Sequence, residues 1–179
     1  MVGAVISSAA PMTRPGAYVG LPLSNQVLAR SARRFPLLTQ FVRRVMRNMA
    51  MKDAGKSAQQ LMGSIPETDK AILFAPANLE MFTASVREGF RSGYRGVAQD
   101  DVLVNRDWGF DLASIQPRID IWQGDADVNV PVAAARYLQA TIPHARLTIL
   151  PGQGHFFLFD RWLEILKELV SSDTNSEPS

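Results

Sequence analysis

The segment from Arg118 to Val170 places the tightest constraint on the fold. IDIW (Ile119–Trp122) and RLTIL (Arg146–Leu150) are short, β-rich apolar runs, each followed by a glycine-bearing loop and a helix-period segment. After the first comes GDADVNVP, then Val132, Ala135, Leu138 and Ile142 at the spacing of one helix face. After the second comes PGQGH, then a helix capped at Asp160 that carries Trp162, Ile165, Leu166 and Leu169. A helix between two strands reverses the chain, so this alternation predicts parallel strands joined by right-handed crossovers. Val2–Ser7, apolar throughout, predicts one more strand covered on both faces. The fold class is α/β.

Helix signals fill the stretch between. Pro36 can open a helix in which Leu37, Leu38, Phe41, Val42, Val45, Met46 and Met49 form one apolar stripe, the pattern of a face packed on a core. Arg43, Arg44 and Arg47 fall off that stripe. Ser64-Ile-Pro-Glu67 has capping-box spacing ahead of another helix, which Pro76 interrupts. Leu79, Phe82, Val86 and Phe90 then mark one helix face that Gly93 can close. The polar tail Ser171–Ser179 is expected to be disordered.

Composition removes several function classes. With 46% apolar residues in 179, the chain can bury a core of one domain's size. It has no cysteine, so disulfides and thiolate metal sites are excluded, and its two histidines, His144 and His155, argue against a multi-histidine metal centre. No cofactor is expected. A net charge of +2 asks for no nucleic acid, and no recognised module or aromatic platform accompanies the cluster Arg30, Arg33, Arg34, Arg43, Arg44, Arg47, Lys52 and Lys56. That cluster reads as a solvated helix face rather than a lipid-binding one. The apolar start MVGAVISSAAPM lacks the basic region of a signal peptide, and no run approaches a membrane span. A soluble cytoplasmic protein acting on a small molecule is expected.

Asp127 and His155 stand out chemically. Each follows a strand, and ligands gather beyond the carboxyl ends of parallel strands. Adjacent strands would bring the two side chains together, with glycines at 124, 152 and 154 allowing sharp turns. A carboxylate on one imidazole nitrogen fixes the tautomer and frees the other nitrogen to take a proton. Taken singly, each residue reads as a turn residue or helix cap. Asp125 is the rival acid. Tyr18, Tyr94 and Trp108 fit either a pocket wall or ordinary packing.

WQGDADVNVP, IPHARLTILPGQGHFF and DRWLEILKEL resemble the C-terminal half of the α/β-hydrolase family. The family's Gly-x-x-Asp-x-x-x-Pro acid loop is matched by Gly124, Asp127 and Pro131, and its Gly-x-Gly-His turn by Gly152, Gly154 and His155. The resemblance implies a partial α/β-hydrolase fold: the last three parallel strands with flanking helices and a helical cap insertion. It divides the chain into a first core strand and loop (1–19), the cap (20–92), the C-terminal part of the core (93–170) and the tail (171–179). It also implies that Asp127 orients His155 as general base.

The family's nucleophile sits on a Gly-x-Ser-x-Gly elbow between strand and helix, and this sequence has none. The nearest approach, Gly55-Lys56-Ser57-Ala58-Gln59, follows a charged helical segment instead of a strand. Ser7 and Ser8 end a strand but lack flanking glycines. The stretch that would form an oxyanion hole is missing as well. The expectation is therefore an N-terminally truncated hydrolase, inactive alone, cleaving a carboxylic ester or related bond. With an aspartate nucleophile in the missing half, the same pair would serve an epoxide or haloalkane hydrolase. The alternative from another class is a non-catalytic remnant or binding module. The first strand would lack a neighbour, so self-association is expected.

Overall fold

The computed structural model describes residues 2–7, 9–61 and 65–174. Among them lies one parallel sheet in the order β1-β2-β3, with β1 at Val2–Ile6, β2 at Arg118–Gly124 and β3 at Ala145–Leu150. Val2 is level with Arg118 and Ile119 with Ala145, so the three strands run side by side in register and end at one edge. The alternation of β2 explains the layering. Ile119 and Ile121 pack with Ala135 and Leu138 of α7 (Val132–Thr141) and with Ile142 just past its end. Trp122, on the opposite face, joins Leu150, Phe157 and Ile165 of the segment leading into and through α8 (Leu158–Thr174). Helices on both faces cover Ile119, Ile121 and Trp122 of β2, whereas Arg146 and Thr148 of β3 are exposed.

Between β1 and β2 the chain makes a helical layer: α1 (Leu23–Arg34), α2 (Pro36–Lys52), α3 (Ala54–Leu61), α4 (Glu67–Leu73), α5 (Pro76–Gly89) and α6 (Arg95–Val104). Pro36 and Pro76 occupy first turns, where a missing N–H costs nothing. The layer is closed by α6 packing on α1 and α2, and Arg43 grips Asp101 of α6 through Nε (2.5 Å) and Nη2 (2.7 Å). This helix, unmarked by strong periodicity, extends the layer past residue 92. No helix among the described residues is long and apolar enough to cross a membrane.

Three expectations need correction. The apolar stripe of α2 faces inward only in part: Leu37 is 80% and Phe41 62% exposed, while its Val42, Met46 and Met49 are half-buried beside the buried Thr39 and Ala50 and the half-buried Arg43 on the packed side. The physical reason is the Arg43–Asp101 pair together with small residues, which let α6 lie close on that side. Trp162 of α8 is half exposed although Ile165 is buried. Finally, α8 starts at Leu158, so Asp160 lies in its first turn instead of capping it, and it continues to Thr174 into the expected tail. Ser64, and with it the expected capping box, lies outside the described residues, as do 175–179.

Candidate active site

Two loops beyond the sheet's carboxyl edge are pressed backbone to backbone. Ala126 N–H donates to the Gln153 carbonyl (3.0 Å), and Gly152 N–H donates to Asp125 Oδ1 (2.7 Å). A Cβ on Gly124 would run into the Gln153 and Gly154 carbonyls, so glycine is required there by close approach. Gly152 is needed for a different reason, its φ of +68°.

These contacts bring Asp127 and His155 together: His155 Nδ1 lies 2.8 Å from Asp127 Oδ2. The Asp127 side chain is fully buried and the His155 side chain 30% exposed. Asp127 Oδ1 accepts the amides of Asn129 (2.8 Å) and Val130 (2.9 Å), which fix the orientation of the carboxylate. Gln123, fully buried at the end of β2, donates Nε2 to Asp127 Oδ2 (3.2 Å) and to the Val130 carbonyl (3.0 Å). Nδ1 against the carboxylate carries the proton, and Nε2 has no partner among the described residues.

Burial works against charge on both groups, and the pair overcomes it. Asp127 is held below the usual carboxylate range despite desolvation, because His155 and the Val130 and Asn129 amides favour the anion. His155 is raised above the ordinary imidazole value despite desolvation, by its hydrogen bond and charge interaction with Asp127 and by the charge of Asp69. A buried carboxylate facing a partly exposed, more basic imidazole is suited to receiving a proton at Nε2.

Helices of the layer above hold both loops. Asn25 of α1 donates to the Val128 carbonyl (3.2 Å) in the Asp127 loop. Asp69 of α4, fully buried, accepts the backbone N–H of His155 at Oδ2 (2.8 Å) and of Phe156 at Oδ1 (2.9 Å). Sequence reasoning missed both Asp69 and Gln123. Asp69 reads there as an ordinary first-turn acid of a short helix, and Gln123 as a polar strand end.

The other candidates fall elsewhere. Asp125 turns to Gly152 instead of the imidazole. Ser57 is buried within α3 with Oγ donating to the Asp53 carbonyl (2.7 Å), with no strand before it. Ser7 follows β1 at φ +42°, its Oγ buried without a partner among the described residues, and Ser8 lies outside them. Trp108 stacks on Phe110, and Tyr18 carries the Arg30 guanidinium over its ring. Tyr94 precedes α6. His144 is exposed.

No family model and no curated protein matches this chain. Solved structures do match. An esterase from Exiguobacterium antarcticum superposes with a TM-score of 0.59 at 16% identity, over 96% of this chain and 56% of the esterase. An α/β hydrolase enzyme from a Medee basin deep-sea metagenome library gives 0.56 at 12% identity, over 98% and 57%. A bromoperoxidase from Bacillus anthracis gives 0.54 at 12%, over 94% and 56%. The chain therefore has a partial α/β-hydrolase fold. It spans a little over half the length of the structures it resembles.

Proposed function

We propose that this chain supplies the acid–base part of a hydrolase centre that cleaves a carboxylic ester or a related small-molecule bond. Asp127 orients His155, and Nε2 takes the proton of a nucleophile that a segment outside these 179 residues provides. The observation that carries this reading is the 2.8 Å contact between a buried carboxylate and a half-buried imidazole at the carboxyl edge of a parallel sheet. Likeness in fold to an esterase and a bromoperoxidase supports a hydrolase kind without naming the substrate. The chain alone lacks the nucleophile elbow, so purified protein is expected not to turn over p-nitrophenyl esters.

The test is to read the DNA directly upstream of the Met1 codon and express the extended frame. A strand followed by Gly-x-Ser-x-Gly is expected to give esterase activity that His155→Ala and Asp127→Ala each abolish. Gly-x-Asp-x-Gly would direct the same pair to epoxides or haloalkanes, with His155 activating water. Activity that survives His155→Ala, or ester turnover by the unextended chain, would overturn the proposal.

A further inference from the structure

The motif Gly-x-Gly-His contains a glycine that neither turn geometry nor the Asp127 contact explains. Gly154 has no positive φ, yet a Cβ built on it would overlap the carboxylate of Asp69. Asp69 comes from α4, far off in sequence, and is the only residue of that helix whose side chain reaches the loop by a hydrogen bond among the described residues. Its two oxygens take two successive amides, those of His155 and Phe156, and the side chain has no exposure at all. A carboxylate buried without a cationic partner is costly unless its lone pairs are filled, and here backbone N–H groups fill them. The aromatic side of the same junction is formed by Phe156, whose ring meets Phe82 of α5 edge-on at 5.8 Å and the His155 ring at 5.4 Å.

From this geometry we infer that Asp69 is a positioning residue for the imidazole, a bidentate clamp from the helical layer that fixes the backbone of His155 and so aims Nδ1 at Asp127. The inference rests on the hydrolase reading for its catalytic meaning, but the clamp itself is a structural claim about this chain. Both amides must be held for the ring to be aimed, because His155 and Phe156 side chains leave the loop on opposite errands: one to Asp127, the other into the cluster of Ile65, Leu73 and Phe82. An asparagine at 69 has one carbonyl oxygen and would present N–H to the second amide, so it keeps the size of the side chain and loses the clamp. The charged groups acting on the imidazole are Asp127 and Asp69, and both favour its protonated form.

Nuclear magnetic resonance of the intact chain tests this, since it contains only two histidines and His144 serves as an internal reference. In wild-type protein the His155 Nδ1 proton is expected far downfield and the His155 and Phe156 amides protected from exchange. In Asp69→Asn, with circular dichroism unchanged, the downfield proton should broaden or vanish, both amides should exchange at least tenfold faster, and the His155 titration should move to lower pH. A folded Asp69→Asn with the His155 proton, amide exchange and titration all unchanged would overturn the clamp. If Asp69→Asn does not fold, Gly154→Ala, which displaces the carboxylate by overlap, supplies the second reading with the same expected losses, and unprotected amides in wild type would refute the clamp by themselves. Absence of the downfield proton in wild type with protected amides would instead count against the Asp127–His155 pairing, which keeps the two failures apart.

Discussion

Asp127 and His155 shift each other in opposite directions through one contact, and this makes the pair visible in the protein's stability. The raised imidazole contributes fully below its ordinary value near pH 6.5, and that contribution is lost as pH rises through the native value. The lowered carboxylate contributes above its ordinary value, about pH 3.9, and loses its share as pH falls through the native one. The pair is therefore worth most between about pH 4 and 6.5. Thermal unfolding of wild type and His155→Gln should differ most inside that window, and the gap should narrow above neutrality. A gap that stays constant to alkaline pH would contradict the pairing. These two residues were legible in the sequence because each sits beside glycines at a strand end. Asp69 and Gln123 were not, because a first-turn acid and a strand-end glutamine are ordinary types in ordinary places, and their contacts span other elements.

At the level of elements, periodicity located the helices but did not tell which part of the α2 stripe is packed. Leu37, Leu38, Phe41 and Val45 of the stripe are exposed, whereas its Val42, Met46 and Met49 are half-buried together with Thr39, Ala50 and Arg43, the last paired with Asp101 of α6. A helix pattern reports where apolar residues lie, and only the neighbouring elements decide which side they cover. By contrast α7, between two strands that it must cover, packs through Ala135, Leu138 and the flanking Ile142 of the expected face, with Val132 half-buried. The packed side of α2 carries a measurable cost. Thr39 is 1% exposed and its Oγ1 has no hydrogen-bond partner. Thr39→Val keeps the shape and removes a buried, unsatisfied hydroxyl, so it should stabilise the chain by about 1 kcal/mol. Urea denaturation with an unchanged m-value is the check, and a loss of similar size would mean that the hydroxyl is bonded in solution.

Across the whole molecule, the parallel sheet and its two covering helices form a complete layer arrangement around β2, while β1 and β3 are its edges. The parallel pairing of β2 with β3 and the carboxyl edge that carries Asp127 and His155 follow from the strand–helix–strand spacing in the sequence, while the place of β1 beside β2 does not. The position of the helical layer does not, because it depends on contacts such as Asn25 to Val128 and Asp69 to His155 that join distant segments. That layer turns an apolar face outward: besides Leu37 and Phe41, Leu23 is 72%, Val27 57% and Phe35 59% exposed, all on α1, α2 or the bend between them. Scattered apolar residues are normal on a surface, but several on two adjoining helices form a patch of the kind that marks an interface. Among the described residues no strand pairs with the outer edge of β1, which adds to that exposed surface. The purified chain is therefore expected to sediment as species heavier than its 19.7 kDa at micromolar concentration. Replacing Leu37 and Phe41 together by lysine should shift the distribution toward monomer with little effect on stability, since neither side chain is packed. A wild-type chain that stays monomeric would show that this face and the β1 edge are tolerated in water, and a double variant that associates as before would assign the contact to the strand edge.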